Sequence, residues 1–144
     1  MIPVNQTRLY DPTKQHPPGN CWAACLASIL ECTLNDLPDE KSFWHPGDNP
    51  RKSWPPYYQK TILFLRSHYG LSWFECKVSG IVLDEMGAVY TILSGPSPRD
   101  SAITHSVVGV LDKIVHDPHP SKAGLVGELK DWTVGFFVTP IPKT

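Results

Sequence analysis

Gly19-Asn20-Cys21-Trp22-Ala23-Ala24-Cys25-Leu26-Ala27-Ser28-Ile29-Leu30-Glu31 is the stretch on which the fold reading turns. Pro17-Pro18-Gly19 stops any regular element before it. Asn20 is a favoured N-cap, and apolar side chains at 22, 25, 26, 29 and 30 have the spacing of a helix with one broad buried face. Cys21 then falls in the first turn. Unpaired backbone N–H groups and the helix dipole favour a thiolate there, and the thiolate is the nucleophilic form of cysteine.

Working outward, residues 1–19 read as an extended arm. Residues 39–56 are polar, aromatic and proline-rich without a period of their own, and read as a long surface loop. A second helix is expected from about Pro56 to Tyr69, with Tyr58, Ile62, Leu65 and Tyr69 at helical spacing and Gly70 as its stop. Short β-type runs follow at Leu71–Val78, Ala88–Leu93, His105–Leu111, Lys113–His116 and Trp132–Val138, separated by Gly, Pro, Ser and Asp. Helices first and antiparallel strands later is an α+β order. The 144 residues suit one domain, spanning 1–144, around a single core.

A formal charge of -1 without a basic stripe gives little pull toward phosphate backbones, so nucleic acid is not the expected partner. No apolar run resembles a signal-peptide core or a membrane span, so a cytoplasmic protein with no membrane partner is expected. In that setting Cys21, Cys25, Cys32 and Cys76 are expected as reduced thiols. Twelve of the 15 prolines cluster at 17–18, 46–56, 96–98, 118–120 and 140–142, punctuating the elements.

A catalytic thiol needs a base. His105 heads an apolar strand able to aim its ring into a cleft, and Asp117 ends the next strand against Pro118. Hairpin return of the two strands brings Asp117 beside His105, where a carboxylate fixes the tautomer and stabilises the imidazolium. Gln15, six residues before Cys21, can point its amide back toward the sulfur and, with the Cys21 N–H, form an oxyanion hole. Each residue also has a plainer reading: Cys21 as a core thiol, His105 as a core histidine, Asp117 as a turn residue and Gln15 as a solvated loop residue. Their order and spacing favour the catalytic one.

Gln15 with Cys21-Trp22 resembles the papain pattern of a glutamine six residues before a Cys-Trp pair. Cys21-Trp22-Ala23-Ala24-Cys25-Leu26-Ala27 is similar to the nucleophile helix of the C39-like peptidases, and His105-Ser106-Val107-Val108 with Asp117-Pro118 resembles that group's later motifs. Gly19-Asn20-Cys21, Leu93-Ser94-Gly95-Pro96-Ser97-Pro98-Arg99 and His116-Asp117-Pro118-His119-Pro120-Ser121 resemble short C39-like proteins of phages and bacteria. The similarity covers roughly residues 15–33 and 90–126. It implies a minimal papain-like fold, a nucleophile helix packed on an antiparallel sheet, and hydrolysis of a peptide, isopeptide or related amide without a cofactor. Asn20 and Trp22 stand where those peptidases carry Asp and Gly, so it does not imply their leader-peptide processing.

The expected partner is a peptide or protein substrate, with Trp22, Asn20, Arg99 and His119 as candidate substrate-binding residues. Trp44, Trp54, Tyr57 and Tyr58 are candidates to line a groove or to seal the rim of the core. Three rivals stand beside hydrolysis: transpeptidation by the same triad, a catalytically silent binding protein such as a phage-encoded inhibitor, and a metal site from His105, His116, Asp117 and His119. The last lacks helical His-x-x-x-His spacing, and no metal is the expected outcome.

Overall fold

The computed structural model describes residues 1–78 and 83–139, leaving the expected 140–142 proline cluster outside them. The protein is α+β: two helices and a five-stranded antiparallel sheet. Helix α1 spans Cys21–Leu30 and α2 spans Pro50–Tyr69. The strands are β1 (Ser72–Lys77), β2 (Tyr90–Ser97), β3 (Asp100–Val110), β4 (Lys113–His116) and β5 (Thr133–Val138). Their order across the sheet is β1-β5-β2-β3-β4, so the last strand enters the middle.

Helix α1 begins where the sequence places it, yet it has more than one buried face. Trp22 to Ser28 are all buried, because the helix lies between the sheet and the N-terminal arm. The arm is held by backbone groups: Ile2 N donates to Ser28 O, and Val4 N donates to Ser28 Oγ at 2.9 Å. Ala23, Ala24 and Ala27 let neighbours approach closely, and an almost wholly apolar helix suits burial all round.

Helix α2 corrects two expectations. It starts at Pro50, six residues before the expected start, inside the stretch read as loop, which also holds a short 3-10 turn at Glu40–Phe43. Asn49 caps it, its side chain accepting from Arg51 N, and Pro50 suits the first helical position. Pro55 and Pro56 remove two helical donors. The carbonyls they leave belong to Arg51 and Lys52, both exposed residues. The buried ridge is Ser53, Tyr57, Thr61 and Leu65, one residue off the expected Tyr58–Ile62 register.

The sheet separates two apolar clusters. Ile92 and Val108 join Trp22, Leu26, Tyr57 and Leu65 on the helical side. Leu93, Val107, Trp132 and Val134 form the other cluster, as alternation along β2 and β3 requires. Two glycines make room for indoles. A Cβ on Gly95 would lie 2.5 Å from Trp132 Cδ1, and one on Gly135 would lie 2.1 Å from Trp73 Cζ2.

Candidate active site

Cys21 is the first residue of α1, half-buried at one wall of a cleft of about 990 Å³. Asn20 holds the N-cap position but does not cap with its side chain. Its Oδ1 accepts from Thr7 N at 3.1 Å and Arg8 N at 3.0 Å, and its Nδ2 donates to Thr7 Oγ1 at 3.0 Å. The expected substrate-binding role for Asn20 therefore gives way to tethering the arm, with its amide already engaged. The first-turn N–H groups stay free of a side-chain cap, and no acidic residue stands in that turn.

Burial pushes the Cys21 thiol up. The Ser106 N–H and hydroxyl and the N–H groups of Trp22 and Cys21 pull the other way. His105 is buried in β3, and its Nε2 donates to Asp117 Oδ1 at 2.8 Å. The expected hairpin return produces this pair: β3 and β4 run antiparallel, and β4 ends at His116, one residue before Asp117. Asp117 Oδ1 also accepts from His119 N at 2.9 Å, and Oδ2 accepts from Gly124 N at 2.8 Å. Burial works against the Asp117 carboxylate, but these three donors hold it below its usual range. Burial lowers His105, with Arg99 adding to the effect and Asp117 opposing it.

Cys21 and His105 both line the cleft, although no hydrogen bond joins them among the described residues. With the thiol raised and the imidazole lowered, both groups favour their neutral forms at neutral pH. The Asp117 bond to Nε2 leaves Nδ1 as the ring atom able to take a proton.

Gln15 is not brought to this site. It is exposed and does not line the cleft. Gln6 lines the cleft instead, 9% exposed, with Nε2 donating to Arg8 O at 3.0 Å and Oε1 buried without a partner. The six-residue spacing does not carry Gln15 to the cleft because residues 6–8 lie directly against 18–20. Asn20 N donates to Arg8 O at 3.1 Å, and Arg8 Nε donates to Pro18 O, so residues 9–17 loop outward. Such a pairing of two irregular segments has no periodic signal.

Of the other candidates, Arg99 and His119 line the cleft. Arg99 Nη1 donates to Ser121 Oγ at 2.9 Å, and the His119 ring stands edge-on to His105 at 6.0 Å. Burial, then Arg99 and His105, lower His119. Trp22 touches the cleft but is 5% exposed, packed against Trp54, Tyr57, Tyr58 and Trp73, so its first task is the core. The imidazoles of the metal rival turn apart. His116 Nε2 donates to Val4 O, His119 Nδ1 accepts from Ser121 N, and no metal-holding cluster of three or more His, Cys, Asp or Glu occurs among the described residues.

Ser94 and Ser106 carried no signal of their own in the sequence. They line the cleft from paired strands, their hydroxyls 2.8 Å apart. No helix among the described residues is long and apolar enough to cross a membrane. Compared with protein-family models, curated proteins and solved structures, the chain matches none.

Proposed function

We propose that this chain is a cysteine hydrolase of papain-like, C39-like type that cleaves a peptide, isopeptide or related amide bond in a peptide or protein substrate. The observation that carries the reading is the buried His105–Asp117 pair, 2.8 Å apart, whose histidine lines the same cleft as a cysteine at an uncapped helix N-terminus. A histidine desolvated by the fold and anchored by a carboxylate at one nitrogen is a base whose other nitrogen is free to act.

As substrate enters, His105 Nδ1 takes the Cys21 proton and the sulfur attacks the acyl carbon. The Cys21 N–H and the Gln6 amide stabilise the oxyanion, and His105 returns the proton to the leaving amine. Water, activated by the same imidazole, then hydrolyses the thioester. A second reading, a binding protein without turnover, is favoured by one observation: the resting structure contains no Cys21–His105 hydrogen bond among its described residues.

Iodoacetamide alkylation separates the two, with each cysteine followed by mass spectrometry from pH 4 to 9 in wild type, His105→Ala and Asp117→Asn. Hydrolase chemistry requires Cys21 to react faster than half-buried Cys32, with an advantage that shrinks in both variants. The advantage falls with acidification through the depressed His105 pKa, because the protonated ring accepts nothing. A Cys21 that matches Cys32 in all three proteins rejects the hydrolase.

A further inference from the structure

The cross-strand pair beside the nucleophile has chemistry beyond the triad. Ser94 in β2 and Ser106 in β3 are register partners with hydroxyls 2.8 Å apart, and Ser106 is 4% exposed. Ser106 shares with Val108 the sheet face that packs against α1 and lines the cleft together with Cys21, and its N–H and hydroxyl both favour the thiolate form of that cysteine. Each hydroxyl has one proton and can turn it without moving a heavy atom. A buried and a half-buried hydroxyl in contact therefore have two states, and the charge on the sulfur selects between them.

We propose that Ser94 and Ser106 form a reversible hydroxyl pair that positions and stabilises the Cys21 sulfur as it becomes anionic, making both of them positioning residues. Opposite the neutral thiol, Ser106 donates to Ser94. When the thiol proton passes to His105 Nδ1, Ser106 O–H rotates to donate to the sulfur and Ser94 O–H turns to donate to Ser106. No covalent bond other than S–H is broken and only N–H is formed, so the proton count balances. The bond to sulfur is charge-assisted only in the reacting state, which makes it a differential interaction. The role rests on Cys21 being the nucleophile of the proposed hydrolase, but its test does not require a substrate.

The test is the pH profile of Cys21 alkylation by iodoacetamide in Ser106→Ala, Ser94→Ala, the double variant and Ser106→Thr. Ser106→Ala is expected to slow Cys21 at pH 7 about tenfold, the loss of one hydrogen bond to a charged group, and to move the profile to higher pH. Ser94→Ala is expected to slow it about threefold, with no further effect once Ser106 is alanine. Ser106→Thr, which keeps the hydroxyl, is expected to recover most of the rate, and Cys32 serves as the unaltered internal control. If Ser106→Ala does not fold, the Ser94→Ala profile alone decides. An unmoved Cys21 profile in the folded serine variants, or equal slowing by Ser94→Ala in both backgrounds, overturns the pair. Should wild-type Cys21 react no faster than Cys32 and still slow in Ser106→Ala, the pair stands and the hydrolase falls.

Discussion

At the scale of single residues, two polar side chains in the interior give sharp tests. The first is the glutamine. If Gln6 stabilises the oxyanion, Gln6→Ala will lower the rate at which p-nitrophenyl acetate acylates Cys21 by about 100-fold, whereas Gln15→Ala will leave it unchanged. Nitrophenolate release under single-turnover conditions measures both. The second is Glu40, 6% exposed, whose Oε1 accepts from Ser53 Oγ at 2.8 Å. Burial raises its pKa, with Ser53 and Arg8 opposing. A carboxyl whose folded pKa exceeds its unfolded value contributes its stability at low pH and loses it as pH rises through the folded pKa. Glu40→Gln keeps an acceptor for Ser53 without the charge. Its melting temperature relative to wild type should therefore be more favourable at pH 7 than at pH 4. At this scale Cys21 and Asp117 were legible because each sits at an element boundary that the sequence punctuates, whereas His105 lies in the middle of β3 and not at its head as expected, and was legible through its spacing to Asp117. Gln6, Ser94 and Ser106 were not, since nothing in an amide or a hydroxyl shows what it will face.

At the scale of elements, the indole seats in the sheet are the most sensitive positions. Gly135 of β5 lies under Trp73, where an added methyl would meet ring carbons at 2.1 and 2.8 Å. Trp73 is itself locked against Trp22 and Phe137. Gly135→Ala should cost about 1–3 kcal/mol in urea unfolding, the usual range for overpacking a filled core. Strand β4 was readable to the residue, and α1 to its first residue, because apolar runs there end against turn signals. The start of α2 was not. Two prolines argue against a helix when propensity alone is considered, and the structure accommodates them because Ser53, Tyr57, Thr61 and Leu65 face the core on one ridge while the orphaned carbonyls belong to exposed Arg51 and Lys52.

At the scale of the whole molecule, the N-terminal arm decides how the cleft is closed. It runs along α1, receives the donated hydrogen bond from His116 Nε2 at Val4 O, gives Gln6 N to Pro118 O at 3.0 Å, and is clipped by Asn20 at Thr7 and Arg8. Arg8 then reaches Asp39 at 3.0 Å, joining arm, α1 and the segment before α2. Asn20→Ala removes three hydrogen bonds and should cost about 1–3 kcal/mol. Faster amide exchange at Thr7 and Arg8 than at α1 residues would place the loss in the arm. By itself, the sequence determined the α+β class, the helix that begins at Cys21 and the closeness of His105 to Asp117, because these follow from local periodicity and from one short hairpin. Only the tertiary structure decided which glutamine enters the cleft, where α2 begins, that α1 is buried from Trp22 to Ser28 and that two serines meet in the wall of the cleft. Those outcomes depend on packing between segments distant in sequence, where contact is set by shape and hydrogen-bond satisfaction and leaves no period to read.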